Sequence, residues 1–390
     1  MDALELLEII ERGEDSRHQF KRNINNATSM ATELAAFSNS QGGLLIIGVD
    51  DDGTIAGLTK EDVGRLNNMI SNTSSTYIRN PINPTNDNIS LEDGLVMIVK
   101  VAEGLDKPYI TNDGAIWVKS GADKRKVTSK EELRRLFSES DLLHAGETPI
   151  NDSTSNDLDE DFFDEFYQEV YGRLSEDEGK PLLQLLQNMN LAKGDHLNLA
   201  GLLLFGKSPQ KFKPQFIIKA VYFEGNDSTA DKYFDSEDIG GRLSNQYYLA
   251  LAFLKRNLRN VQNDQGRNTT GELEIPPIVL EELLVNAIIH RNYFIDAPIR
   301  VFMFENRIEI ISPGVLPNHM NEENAKSGVS IQRNPVISSF ATKAKPPIGL
   351  PYRGIGTGIQ RAYKEFPEIE LSNDQGNNQF IVKINRKEQN

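Results

Sequence analysis

The sequence predicts an α+β protein: an N-terminal α/β domain, a central mixed α/β scaffold and a C-terminal α/β sandwich. Three observations lead there. The chain has 390 residues, and domains of roughly 100–200 residues predict two or three of them. Short apolar runs suited to buried strands alternate with segments of helical period at both ends of the chain. Between the ends, residues 151–180 carry eleven acidic side chains against only Arg173 and Lys180, a sharp break in composition.

The elements follow in chain order. Leu4, Leu6, Leu7, Ile9 and Ile10 mark a first helix that ends near Gly13, and Arg17–Lys21 reads as a short strand. A helix is expected over Ala27–Phe37, then Gly42 and Gly43 turn the chain into the apolar strand Leu44–Val49, with Asp50–Gly53 as a tight turn. Leu95–Val101 is a further strand, and Asp113-Gly114 is placed at the turn of a hairpin-like pair. Thr128 and Ser129 cap a closing helix that runs through Phe137. The polar stretch "GETPINDSTSNDLDED" has the composition of a linker. Past it, Asp161–Arg173 has a helical apolar face (Phe162, Phe163, Phe166, Tyr167, Val170), and Ser175 with Glu178 resembles a capping box. A long helix is expected from Gly241 to Val261, a second beginning near Ile275, strands at Ile299–Phe304, Arg307–Ile311 and Gln379–Ile384, and a loop at 312–329. The expected division is residues 1–145, an acidic linker 146–160, a connecting region 161–273 and a C-terminal domain 274–390.

Composition excludes several classes of function. The chain has no cysteine, so disulfides, cysteine-ligated zinc, iron–sulfur clusters and thiol catalysis are out. Its longest apolar runs, Leu44–Val49 and Ala200–Phe205, fall far short of the ~20 residues of a bilayer span. No basic leader precedes the first helix, so no membrane association is expected and a cytoplasmic location is. The formal net charge of −15 would argue against a nucleic-acid partner if it were evenly spread. It is not: "KSGADKRKVTSK" at 119–130 carries five bases and one acid, and local patches decide such binding.

Two constellations carry chemistry. In "EELLVNAIIHRNY", Glu282, Asn286 and His290 are spaced by four and so share one helix face. An asparagine oxygen there can hold Mg²⁺, and a carboxylate one turn away can orient water toward a phosphoryl group. Downstream, Gly354, Gly356 and Gly358 let the backbone approach a polyanion, with "IQRAY" supplying a helix N-terminus.

The ordered set "EELLVNAIIHRNY … RIEIISPGVLP … RNPVI … RGIGTGIQRA" resembles the divergent GHKL-type ATPase domain, over about residues 275–385. That resemblance implies an ATP–Mg²⁺ site in which Glu282 is the water-orienting base, Asn286 the Mg²⁺ ligand, and Gly354, Gly356, Thr357 and Gly358 the phosphate lid. His290, Ser312 and Gly314 complete the expected nucleotide contacts. GHKL members carry an aspartate that accepts a hydrogen bond from the adenine amine; here the loop reads Ser312-Pro313-Gly314, so a hydroxyl would accept it without charge assistance.

At the other end, "GEDSRHQFKRN", "ATELAAFSNSQGG" and "LLIIGVDDDGTIAG" together resemble the Schlafen AlbA-type domain, over about residues 1–140. The joint architecture resembles bacterial transcriptional regulators and RecG-related ATP-binding proteins. Nuclease members of the Schlafen group hold a divalent metal with two glutamates five apart and a later aspartate. By resemblance Glu14 and Asp50 take the first and third places, as catalytic and metal-binding residues. Gln19 falls on the second and costs the site a charge. Asp51 and Asp52 are read as water-facing turn acids. Nucleic-acid binding is expected of Lys21, Arg22, Lys119, Lys124, Arg125 and Lys126, helped by Lys130, Arg134 and Arg135. Tyr109 and Trp117 are placed to stack on bases, with Trp117 alternatively in the core.

The function expected from both resemblances is an ATP-binding, nucleic-acid-binding regulator in which nucleotide at the C-terminal domain modulates the N-terminal surface. The alternatives are a metal-dependent RNA or DNA nuclease, of the kind used in phage defence, and a structural oligomer with degenerate sites. A homo-oligomer is expected by analogy in each case.

Overall fold

The computed structural model describes residues 1–139, 143–229, 232–261, 271–317, 320–354 and 356–386, with the side chains of Arg135, Ser138 and Glu139 left aside. It divides into two compact units, Met1–Leu143 and His144–Asn390. No helix among the described residues is long and apolar enough to cross a membrane.

The first unit is built on a sheet of four strands. His18–Lys21 lies parallel to Gly43–Ile47, which pairs antiparallel with Gly94–Val101, and Thr85–Leu91 closes the far edge. Two parallel neighbours need a crossover, and the Ala27–Asn39 helix provides it. That helix packs Met30, Leu34 and Phe37 against Leu45, Ile47, Met97 and Val99 on one face of the sheet. On the other face the Ala3–Arg12 helix brings Leu6, Ile9 and Ile10 against Phe20, Ile46 and Ile98. A strand covered on both sides has no reason to alternate, which is why 44–49 reads as an unbroken apolar run. The Asp113-Gly114 turn is present, with the Thr111 amide donating to Ala115. A second hairpin, absent from the sequence reading, pairs Trp117–Ser120 with Asp123–Lys126.

The second unit carries six strands in the order Tyr233–Ile239, Ile218–Phe223, Ile299–Met303, Arg307–Pro313, Gln379–Asn385, Ile369–Asp374. Only the Ile218–Phe223/Ile299–Met303 pair is parallel. One sheet thus spans both the connecting region and the C-terminal segment of the sequence reading. Residues 146–160 are integrated into this unit: Ser153 and Leu158 are fully buried. Two of their acids, Asp157 and Asp159, cap and pair within the fold. Asp159 accepts from the Phe162 amide at the start of the Glu160–Tyr171 helix, and Asp157 pairs with Lys211 at 3.1 Å. The helix expected to reach Val261 ends at Asn257, and the 312–329 loop contains a short helix, Glu322–Lys326, capped by Asn321.

The Pro277–His290 helix lies in the core of this unit. Val279, Leu280, Leu284, Val285, Ile288 and Ile289 are fully buried, so the helix is apolar nearly all round. The exceptions are Glu281, which pairs with Lys255, and the stripe Glu282–Asn286–His290, which faces a cleft.

Candidate nucleotide cleft and the basic face of the N-terminal unit

The cleft is open to solvent and is lined mostly by apolar side chains with a few convergent polar groups, the make-up of a small-molecule site. Glu282, Asn286 and His290 line one wall, Ser312 and Gly314 the end of the Arg307–Pro313 strand, and Gly354, Gly356, Thr357 and Gly358 the opposite lip. All eight C-terminal residues chosen from the sequence, together with Glu282, converge here. Ile355 lies outside the described residues. The lining beside Ser312 is apolar, with Ile310, Phe380 and Val382 from the same strand pair, joined by Val315 and Leu316.

Each polar group is held by its neighbours. Asn286 donates its amide nitrogen to the Glu282 carbonyl at 2.6 Å, which leaves the amide oxygen for the cleft. Magnesium takes oxygen ligands, usually one or two from protein with the rest from water and phosphates, so Asn286 fits the ion the resemblance implies. Ser312 donates to the Ala287 carbonyl at 3.2 Å, so its oxygen is left as an acceptor, as contact with an exocyclic amine requires. His290 meets the Tyr352 hydroxyl at 3.1 Å; burial, then the nearby Arg333, hold its pKa down at about 4, so the ring is neutral near pH 7. Burial raises the Glu282 carboxyl, and Arg361 and Arg353 oppose that rise.

Two glycines have a clear steric reason. Gly356 sits at φ +75° with its missing Cβ directed into the Gly328 carbonyl. At Gly358, the first residue of the Gly358–Glu365 helix, a Cβ would overlap Glu282 Oε2 and stand 3.2 Å from Asn286 Nδ2. The helix N-terminus therefore opens toward the Glu282–Asn286 wall, the arrangement that suits an anion.

Several cleft residues escaped the sequence reading. Arg361 pairs with Glu282, and its signal lay in the quoted "RGIGTGIQRA", one helical turn past Gly358. Arg333 donates to Val315 O at 2.7 Å. Its neighbour Asn334 donates to Ile289 O and Arg291 O at 2.8 and 2.9 Å, closing the C-terminal carbonyls of the Pro277–His290 helix.

The N-terminal unit is arranged differently. Glu14 accepts from Gln19 Nε2 at 2.5 Å and from the Phe20 amide at 2.6 Å. The Lys119 ammonium donates to Gln19 Oε1 and to Ala122 O, and lies 5.0 Å from the Phe37 ring centre. Burial lowers its pKa, and Glu33 and Glu14 oppose that. Asp50 faces Arg22 at 3.7 Å and Asp51 faces Lys21 at 3.5 Å. Asp52 accepts from the Thr54 amide within its turn. Among the described residues no three His, Asp or Glu side chains gather as a metal site. A divalent ion at Glu14 and Asp50 does not fit these residues: Gln19 turns its amide nitrogen to Glu14, and the Lys119 ammonium already holds its oxygen.

The basic face is likewise engaged. Lys124 pairs with the buried Glu33 at 2.5 Å, and Arg125 makes a two-pronged contact with Glu132 at 2.8 and 2.9 Å. Lys126, Lys130 and Arg134 are exposed; the Arg135 side chain lies outside the described residues. Tyr109 requires correction as a stacking residue. It is 4% exposed, packed in the core with its amide bonded to Asn39 Oδ1. Trp117 is half-buried, and its indole nitrogen is enclosed without a hydrogen-bond partner.

Comparison with known proteins bears on both units. Residues 14–128 match the family model described as "Schlafen, AlbA_2", and residues 296–384 the one described as "Putative ATP-dependent DNA helicase recG C-terminal". The chain joins an AlbA_2 domain to an ATPase-type domain. Among solved structures, the DIP2311 protein from Corynebacterium diphtheriae is similar at 20% identity and TM-score 0.47, covering 98% of this chain and 80% of that one. The N-terminal domain of a "Putative ATP-dependent DNA Helicase RecG-related Protein" from Nitrosomonas europaea is similar at 23% identity and TM-score 0.26, covering 33% of this chain and 92% of that one. No curated protein matches the chain. The two domain types point to an ATP-dependent, nucleic-acid-related function. Glu282 and Asn286 precede the matched ATPase-type segment, so their membership of the cleft is read from the geometry.

Proposed function

We propose that the protein is an ATP-binding, nucleic-acid-binding regulator: ATP with Mg²⁺ occupies the C-terminal cleft, and its presence alters the nucleic-acid affinity of the AlbA_2 domain. One observation carries the nucleotide half of this reading. Glu282, Asn286, Ser312 and the glycines from 354 to 358 line a single cleft whose apolar lining beside Ser312 suits a base and whose helix N-terminus suits phosphates. Adenine would lie at the Ser312 end, with the hydroxyl oxygen accepting from its amine. The phosphates would lie at Gly356–Gly358, and Asn286 would hold the metal, which neutralises phosphate charge when bound. Glu282 would orient water toward the terminal phosphate once freed from its partner.

The nucleic-acid half rests on the AlbA_2 match and on the exposed cations Arg22, Arg125, Lys126, Lys130 and Arg134, which remain on the surface while Lys119 and Lys124 serve internal contacts. Coupling between the halves requires that ATP bind two arrangements of the protein unequally. Calorimetric titration of the full chain with ATP–Mg²⁺ tests the first step. Binding in the wild type that disappears in Asn286→Ala supports it, and no heat at millimolar nucleotide overturns it. Fluorescence-anisotropy titration of single-stranded DNA and RNA, with and without ATP, then tests the coupling. Equal affinities in both conditions would refute it.

A further inference from the structure

The Glu282 carboxylate already occupies the place where the cleft invites an anion. It lies against the backbone of Gly358, at the N-terminal end of the Gly358–Glu365 helix. Its other neighbour is Arg361 of the same helix, with which it forms an ion pair. Gly358 and Arg361 are three residues apart and so share a helix face; an anion seated on this helix end meets both. Glu282 is 5% exposed, so the carboxylate is nearly dry and depends on this partner. The guanidinium is not saturated by it: Arg361 Nε is buried and makes no hydrogen bond. The other cation facing Glu282 is Arg353, exposed on the cleft lip. Arg333 is committed elsewhere, to the carbonyls of Val315 and His290.

A phosphate and a carboxylate cannot both take this position at no cost, since two anions would share one guanidinium in a poorly solvated corner. A phosphate presents more acceptor oxygens and more charge to a planar fork of donors. Building on the reading of the cleft as an ATP site, we propose that Arg361 is the residue by which the cleft tells a triphosphate from a diphosphate, exchanging the Glu282 carboxylate for the nucleotide's terminal phosphate. The exchange does two things together. It rewards only a nucleotide long enough to reach Arg361, and it releases Glu282 from its ion pair. No covalent bond changes; one ion pair replaces another. In the absence of a terminal phosphate the same contact keeps Glu282 engaged and ties the Gly358–Glu365 helix to the Pro277–His290 helix.

The test is titration of the full-length protein with ATP and with ADP, each with Mg²⁺, for wild type, Arg361→Ala, Arg361→Lys and Glu282→Gln. Wild type is expected to prefer ATP by about tenfold or more, the worth of one charge-assisted contact. In Arg361→Ala that ratio should fall to near one, with ADP affinity kept within about threefold. Lysine should restore part of the preference, because it returns the charge without the fork. Glu282→Gln removes the competing anion, and ATP should bind it more tightly than wild type while ADP changes little. Circular dichroism melts establish that each variant is folded. An unchanged ATP/ADP ratio in Arg361→Ala, or equal loss of both nucleotides from a folded variant, overturns the proposal while leaving the ATP site intact. Tighter ATP binding by Glu282→Gln supports exchange even if Arg361→Ala fails to fold. If wild type binds neither nucleotide, the ATP reading itself falls and takes this inference with it.

Discussion

Replacing Gly358 with alanine adds one methyl group where the structure has no room for it. The new Cβ would overlap Glu282 Oε2 and stand 3.2 Å from Asn286 Nδ2. A clash with the tip of a glutamate is normally relieved by a small rotation. Here the glutamate is buried and its carboxylate is paired with Arg361, so rotation means leaving that partner. Leaving a buried charge unpaired costs about 3–5 kcal/mol as an upper bound. Partial retention of the contact and the better helix propensity of alanine, about 0.5–1 kcal/mol in a helix interior, reduce this. The expected net loss is about 1–3 kcal/mol. For a unit of this size each kcal/mol lowers the melting temperature by roughly 2–4 °C, so differential scanning calorimetry should show a drop of roughly 2–12 °C. The attribution to Glu282 is checked by a double-mutant cycle. With Glu282→Ala in place the overlap is gone, and Gly358→Ala should become neutral or slightly stabilising. If it costs the same in both backgrounds, the strain lies in the backbone and the steric argument is refuted.

Three further outcomes follow from the structure. Because His290 has a folded pKa of about 4 against an ordinary 6.5, the unfolded chain binds more protons between those values. Stability should therefore fall as pH drops from about 6.5 toward about 4, and urea midpoints for His290→Gln should show a shallower fall than wild type; parallel curves would sink the assignment. Asn39 donates to the carbonyls of Tyr109 and Trp117 at 2.9 Å each and accepts the Tyr109 amide at 2.7 Å, so Asn39→Ala should cost about 2–4 kcal/mol in urea denaturation. Asn39→Asp should be comparably costly, because a carboxylate cannot donate to either carbonyl, and near-wild-type stability of the aspartate would contradict this. Finally, Gln19→Glu combined with Lys119→Ala replaces an internal ammonium by a second carboxylate beside Glu14. Electron paramagnetic resonance in the absence of nucleotide should detect Mn²⁺ bound to this double variant and not to wild type; identical spectra would show that Lys119 does not exclude a metal.

Chemistry carried by residues close in sequence was open to sequence reading. The four-residue spacing of Glu282, Asn286 and His290 determines a shared helix face whatever packs on it. The apolar surroundings of that stripe decide that the helix is buried with one polar line exposed to a cleft. The glycines at 354–358 likewise state a need for close backbone approach, and residues 44–49 state burial on both faces. Contacts between distant segments were not legible. Nothing local to Arg361 says that its guanidinium meets Glu282, and nothing in "KSGADKRKVTSK" says that Lys119 turns inward to Gln19 or that Lys124 is neutralised by Glu33 from the Ala27–Asn39 helix. The acid-rich stretch at 146–160 shows the same limit. Its composition determines many negative charges, and only the fold decides that Asp157 and Asp159 meet Lys211 and a helix end. Periodicity and steric need are properties of neighbouring residues. Which opposite charge meets which depends on how elements far apart in the chain are packed, and tertiary structure alone supplies that.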